Sequence, residues 1–392
     1  MNARRLKDRV SLIGAVDWER RLFDALIPLP DGTSYNSYLI QGSEKTAIID
    51  TVDPSKTDVL MSQLEGIEEI DYIVSNHSEQ DHSGSIPCVL EKYHRAKVVT
   101  STKGKGMLMD LMPIPEDRII TVNDKDALSL GDKTLEFIYT PWVHWPETMS
   151  TYLREDNILF SCDFFGAHLA TSDTFVTNRG QVHEAAKRYY AEIMMPFRAS
   201  IRSNLKKLQA YKIDYIAPSH GPVYDNPQWI IDAQADWASE ECKNIAVIPY
   251  VTMHGSTKQM VDFVVSALVD KGVRVQQFDL SVTDLGKLAM ALVDAATIVL
   301  ATPAVLVGAH PAVVYAAHLA NALRPKLKFA SIISSYGWGS QVKEQLIGLI
   351  PNLKVELLEP VICKGMPKEA DLRALDTLAD AILTKHKEFN LL

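Results

Sequence analysis

The chain has 392 residues, 47% of them hydrophobic and 23% charged, with a formal net charge of −9. These are values of a folded globular chain rather than a disordered one, and the acidic balance disfavours general nucleic-acid binding. No apolar stretch reads as a signal peptide or a membrane span, so the expected setting is cytoplasmic.

At roughly 150 residues per domain the length predicts two domains or three. The first half reads as strands interrupted by helices. Strands are expected at 10–13, 37–40, 46–49, 72–74, 97–99, 135–139, 158–160 and 215–217. Helical patterns follow Ser85 and cover 104–111 and a long stretch of 184–211. Strand runs broken by helices suggest stacked sheets covered by helices. From about residue 244 the rhythm becomes regular. Strands at 245–250, 273–280, 298–301, 328–334 and 355–361 alternate with helices at 258–270, 287–294, 312–323 and 341–349, and a last helix follows Pro367. Five strand–helix units predict one doubly wound parallel sheet in the order 2-1-3-4-5. The expected domains are 1–243 and 244–392.

The densest chemical signal is His77-Ser78-Glu79-Gln80-Asp81-His82, directly after the strand at 72–74. Four ligand-type side chains within six residues do not share one helical face. A tight loop that offers alternate residues to two adjacent metal ions is the expected form. His144, Asp163 and His220 each stand just past a predicted strand end, in Thr140-Pro141-Trp142-Val143-His144-Trp145-Pro146, Ser161-Cys162-Asp163 and Pro218-Ser219-His220-Gly221-Pro222. Each alone is most simply a turn, capping or hydrogen-bonded residue. Together they would line one edge of a β-sandwich, a rigid base for a metal site.

In the second half, Thr252-Met253-His254-Gly255-Ser256-Thr257 joins a strand to a helix. Hydroxyls and N–H groups at a helix start suit an anion, and the loop has neither the dinucleotide nor the P-loop glycine pattern. Two further loops lie after the third and fourth strands. They carry Thr302-Pro303-Ala304 with Gly308, and Ser335-Tyr336-Gly337-Trp338-Gly339. Strands one, three and four meet at the switch point of such a sheet, where FMN binds in a flavodoxin.

The first half resembles the metallo-β-lactamase fold, an αββα sandwich whose usual loop is H-x-H-x-D-H; here Glu79 takes the middle position. Over nearly its full length the chain is similar to flavodiiron proteins, also called A-type flavoproteins. The motifs are the H-x-E-x-D-H loop, the segments around His144, Asp163 and His220, the Thr252–Thr257 and Tyr336–Gly339 loops, and the early Gly32-Thr33-Ser34-Tyr35-Asn36-Ser37-Tyr38. The resemblance implies a flavodoxin-like FMN domain and a non-haem diiron centre. One iron would take His77, Glu79 and His144, the other Asp81, His82 and His220, with Asp163 between them. Carboxylate in place of imidazole suits iron. The implied function is an oxygen or nitric oxide reductase acting in oxidative or nitrosative stress. Its electrons would come from an external donor: rubredoxin, a flavoreductase or a reduced deazaflavin.

The implied assembly is a head-to-tail homodimer or a dimer of dimers, with neither nucleic acid nor membrane as partner. Cys88, Cys162, Cys242 and Cys363 form no C-x-x-C pair, so they build neither a disulfide framework nor a rubredoxin module. Tyr189, Tyr190, Trp145, His168 and His183 are candidates for proton supply; Tyr189 and Tyr190 are read as part of a polar helix start. His94, His310, His318 and His386 read as surface or core residues. The competing readings are a dinuclear zinc hydrolase with an appended flavodoxin domain, and an FMN carrier without metals.

Overall fold

A computed structural model describes residues 2–392. The chain divides into two compact units. One comprises residues up to Tyr190 together with Phe197–Ala238, and the other Ala191–Pro196 with Ser239–Leu392.

The first unit is built on two sheets. In the larger, Arg4–Lys7, Val10–Asp17, Thr33–Gln41, Thr46–Ile49, Tyr72–Val74, Lys97–Ser101 and Ile119–Val122 lie side by side in chain order. In the smaller, Ala127–Ser129, Thr134–Tyr139, Met149–Leu153, Ile158–Cys162 and Tyr215–Pro218 do the same. Side chains alternate across each strand, so consecutive apolar residues serve two cores. Leu12, Ile40, Ile49, Val74 and Val99 face Phe137, Met149 and Phe160 of the second sheet. Their neighbours Ile13, Leu39, Ile48, Ile73 and Val98 pack on Leu60, Leu64, Val89 and Leu108 from the covering helices. The ends of Tyr72–Val74, Thr134–Tyr139, Ile158–Cys162 and Tyr215–Pro218 lead into the segments that carry the candidate metal ligands.

In the second unit the parallel order is Arg274–Asp279, Lys243–Tyr250, Ala295–Val305, Phe329–Tyr336 and then the fifth strand, which is 2-1-3-4-5. Val247, Ile298 and Ile332 pack with Leu288, Val313 and Leu346 on one face. Ile248, Val299 and Ile333 pack with Met260, Val264, Leu375 and Ile382 on the other. Helices thus cover both faces, as a parallel sheet requires. Among the described residues no helix is long and apolar enough to cross a membrane.

Three local expectations change. The stretch read as one helix over 184–211 is Arg179–Tyr189, a π-helical turn Tyr190–Met194, a 3₁₀ turn Met195–Phe197 and a second helix Arg198–Leu208. Pro196 has no N–H to give and crowds the preceding turn, so the ladder breaks there. Tyr189 therefore ends a helix, with its ring buried, rather than opening a polar one. The fifth strand is split into Glu356–Leu357 and Val361–Lys364, both parallel to Phe329–Tyr336. Pro360 lies between them and cannot donate to a ladder. Last, the metal-loop motif is only partly a loop, because Gln80–Ser83 forms one helical turn with Glu79 at its N-cap position.

Candidate functional site

All seven residues expected as metal ligands converge in the first unit. His77, Glu79, His144 and Asp163 bring one ligand atom each to within 4.8 Å of one another, and Asp81, His82 and His220 do likewise. The helical turn explains the division. His77 and Glu79 precede it and face one group, whereas Asp81 and His82 lie on it and face the other. On the first side, His77 Nε2 and His144 Nε2 each stand 3.0 Å from Glu79 Oε2. On the second, His82 Nε2 lies 3.3 Å from Asp81 Oδ1 and His220 Nε2 3.2 Å from Asp81 Oδ2. Asp163 spans both: Oδ2 lies 3.5 Å from His77 and 3.4 Å from His144, and Oδ1 3.1 Å from His82 and 3.4 Å from His220.

Whether this set fits metal ions is decided by its unmet polar atoms. Both carboxylate oxygens of Asp81 and both of Asp163 are buried and lack a hydrogen-bond partner. Buried carboxylates left in that state are costly unless a cation sits between them. The imidazoles agree, since three are held by their outer nitrogen. His77 Nδ1 donates to Glu147 Oε1 at 2.7 Å, and His220 Nδ1 donates to the Ser34 carbonyl at 2.7 Å. His82 Nδ1 lies 3.7 Å from Cys162 Sγ. Such bonds turn Nε2 inward as a metal donor. Four imidazoles with three carboxylates are a donor set suited to iron.

The electrostatics show the same pairing. Burial pulls His220 down, but the nearby carboxylates of Asp163 and Asp81 outweigh it and lift its pKa to about 10. His144 rises to about 9 against burial through Asp163 and Glu79. Burial raises Glu79, yet His144 and His77 hold it well below the usual carboxylate range. The site opens on one side only, because the Glu79 and His144 side chains keep 14% and 16% of their exposure while His77 and Asp163 keep 1% or less.

The proton-supply candidates separate clearly. The Trp145 ring stands edge-on to His77 at 4.9 Å. His168 packs between Tyr189 at 4.7 Å and His220 at 4.8 Å; burial and the nearby His220 push its pKa well down. Its Nδ1 meets Thr33 Oγ1 at 2.9 Å, and its Nε2 is buried without a hydrogen-bond partner. Tyr190 and His183 do not join this group: Tyr190 donates to the Trp237 carbonyl, and His183 packs on the Trp237 ring. Sequence reasoning gave no role to Glu147, three residues past His144, although a carboxylate so near a ligand is a usable signal. Asp24, whose carboxyl pKa is raised by burial and then by the charge of Glu79, was missed because it lies far away in the chain.

In the second unit a cavity of about 300 Å³ gathers the three expected loops. Thr252, Met253, His254, Ser256 and Thr257 form one wall, Pro303 and Ala304 a second, and Ser335, Tyr336 and Gly337 a third. Gly255 has φ +88° and caps the helix Ser256–Asp270 without a side-chain bond. The helix start thus keeps N–H groups for an anion, with three hydroxyl side chains around them. That is a fit for a phosphate beside a flat ring. Gly365, after the fifth strand, completes the wall and was not foreseen. Of the expected residues, Gly255, Thr302, Gly308, Trp338 and Gly339 are not among those lining the cavity. Thr302 Oγ1 is occupied by the His310 N–H. Gly308 sits against Gln345, Gly339 faces Val307, and Trp338 is 76% exposed.

Comparison with known proteins agrees with this geometry. The family model described as "ODP family beta lactamase" matches residues 33–221. The chain is 34% identical to a protein named nitric oxide reductase of Moorella thermoacetica, over 94% of this chain and 95% of that one. It is 30% identical to the flavo-diiron protein FprA2 of Clostridium acetobutylicum, over 95% of this chain and 97% of that one. The solved structure of rubredoxin oxygen:oxidoreductase from Desulfovibrio gigas superposes with a TM-score of 0.94 at 27% identity, covering 98% and 99% of the two chains.

Proposed function

Because the chain belongs to the flavodiiron proteins, we propose that it is an oxidoreductase carrying electrons from an external donor, through FMN, to a non-haem diiron centre that reduces O2 to water, NO to N2O, or both. The observation that carries this reading is the two-sided cluster joined by Asp163, with four buried carboxylate oxygens that only cations would satisfy. Two ferrous irons and a reduced flavin together hold four electrons, the number needed to take O2 to water.

The chain's own residues prepare that chemistry. His77, Glu79 and His144 hold one ion, and Asp81, His82 and His220 the other. Asp163 faces the imidazoles of both groups, and ions held there would supply a paired site for two reacting atoms. Glu147 and the Ser34 carbonyl orient the imidazoles. Tyr189 and His168 stand beside the pair as proton-handling groups and exclude bulk water. Thr252, Ser256, Thr257 and the helix start bind the FMN phosphate, and Tyr336 with Gly337 border its ring. The donor is rubredoxin, a flavoreductase or a reduced deazaflavin. The working form is a cytoplasmic head-to-tail homodimer or a dimer of dimers, built of domains 1–243 and 244–392. Glu79 and the flavin cavity disfavour the zinc hydrolase reading.

The test is anaerobic reconstitution of the full chain with ferrous iron and FMN, followed by O2 and NO consumption under a chemical reductant. Two irons and one FMN per chain with rapid gas consumption is the expected result. Stoichiometric zinc, ester or lactam hydrolysis and no gas uptake would overturn the assignment.

A further inference from the structure

The cavity of the second unit carries accessible sulfur at its rim. Met253 lines it, and Met366 follows Gly365, which lines it too. Both methionines are 53% exposed, whereas Met260 on the helix Ser256–Asp270 is fully buried. The backbone before Met366 is fixed. Gly365 has φ +73°, its N–H donates to the Tyr336 carbonyl at 2.8 Å, and its carbonyl accepts from Cys363 Sγ at 3.5 Å. Glycine takes that φ without strain. The turn delivers the Met366 thioether to Ser256, whose hydroxyl donates to Sδ at 3.1 Å. Ser256 opens the helix whose start suits an anion. The other two hydroxyls there have oxygen or nitrogen partners. Thr252 Oγ1 accepts from the Gly255 and Lys258 N–H groups, and Thr257 Oγ1 meets Ser335 Oγ at 3.1 Å. Ser256 gives its proton to a thioether, a weak acceptor, and so releases it readily to a phosphate.

We propose that Met366 is an oxidation site, and that its conversion to the sulfoxide by hydrogen peroxide lowers the affinity of the cavity for FMN. The proposal rests on the flavin reading above. A sulfur lone pair attacks the peroxide O–O bond. The S–O bond forms as the O–O bond breaks, and sulfur gives up two electrons. The departing oxygen leaves as water with both peroxide hydrogens. Hydrogen peroxide is O2 that has taken two electrons rather than the four that give water, so a turnover cut short supplies it. The sulfoxide oxygen then changes the anion site in two ways. It accepts more strongly than the thioether and holds the Ser256 hydroxyl away from the phosphate. It also brings partial negative charge to the helix start, which the phosphate dianion must meet. Flavin is thereby released from chains exposed to peroxide, and enzymatic reduction of the sulfoxide restores them.

The test uses the full chain loaded with FMN and kept free of iron, so that peroxide meets no metal. After exposure, catalase removes the peroxide, flavin fluorescence gives the FMN affinity, and peptide masses locate the added oxygen. In the parent, affinity should fall about tenfold as Met366 gains one oxygen. Treatment with methionine sulfoxide reductase should restore it. Met366→Leu should bind FMN within about twofold of the parent and keep that affinity through peroxide. Met366→Gln, with an amide oxygen near the place of the sulfoxide, should bind about tenfold more weakly without any peroxide. Three results overturn the proposal: a Met366 that takes up no oxygen, an oxidised Met366 with parent affinity, or equal peroxide losses in the parent and Met366→Leu.

A second measurement needs no flavin. In the FMN-free chain the rate of oxygen uptake at Met366 is compared with that at Met253, which has the same exposure. Ser256→Ala should raise this ratio about twofold, because the Met366 lone pair is no longer engaged by a hydroxyl. An unchanged ratio overturns the proposal whether or not FMN binds. An untreated parent chain that binds no FMN sinks the flavin reading alone.

Discussion

Glu147 shows how much of this site is carried by a residue that touches no substrate. One of its oxygens accepts from His77 Nδ1 at 2.7 Å and from the Ser78 N–H at 3.0 Å. It therefore sets both the tautomer of His77 and the path of the chain into the metal loop. Glu147→Gln keeps the volume but removes the charge that supports the imidazole. Iron affinity, measured by chelator competition, should fall about 10- to 100-fold, while FMN content stays at one per chain. Asp163→Ala is a harsher change, for it leaves four imidazoles and two carboxylates with nothing between the two groups. Metal analysis should find fewer than two irons, gas consumption should vanish and FMN should remain. The seven ligands were legible as residue types at strand ends. Glu147 was not given a role, because the support it gives His77 is a contact across 70 residues of chain.

At the scale of elements, the segment Gly32 to Tyr38 joins the third strand of the larger sheet to the loop that carries His220. Asn36 Nδ2 donates to the Pro218 and Gly221 carbonyls at 2.9 and 2.7 Å, and the Tyr38 hydroxyl donates to the Pro218 carbonyl at 2.6 Å. The Gly221 N–H donates back to Ser34 Oγ at 2.8 Å. Gly221 has φ +83°, and a Cβ there would meet the Ala167 carbonyl oxygen at 2.8 Å, so no other residue fits. Asn36→Ala leaves the buried Gly221 carbonyl without its side-chain donor. It should cost about 2–3 kcal/mol, read as a lower melting temperature of the metal-free chain, with weaker iron binding because His220 loses its frame. The motif was visible in the sequence only as a resemblance. What it does became clear once two segments about 180 residues apart proved to be adjacent. The broken helix around Pro196 and the split fifth strand around Pro360 are errors of another kind: apolar periodicity ran on through a proline that the backbone could not accept.

At the scale of the whole molecule, pH gives a test of the second unit that does not involve a metal. His386 is fully buried, with Nε2 2.8 Å from Thr297 Oγ1 and Nδ1 2.8 Å from Asn244 Oδ1. Burial lowers its pKa to about 4. The unfolded chain takes up a proton near the ordinary value, so between about pH 6.5 and 4 it binds more protons than the fold. Stability is fully present above that window and is lost as pH falls through it, by about 1 kcal/mol per unit. His386→Gln should flatten this part of the curve in chemical denaturation followed by FMN release; an unchanged slope would remove His386 as the cause.

Much of the larger organisation needed no coordinates. The change of rhythm near residue 244, the alternation of strands and helices after it and the chemistry of the ligand set follow from hydrophobic period and residue type, which are local properties of the chain. Tertiary structure alone decided which side of Asp163 each imidazole faces and that Gly365 rather than Gly308 lines the cavity of the second unit. Those are distances between segments remote in sequence, set by packing, and no periodicity encodes them.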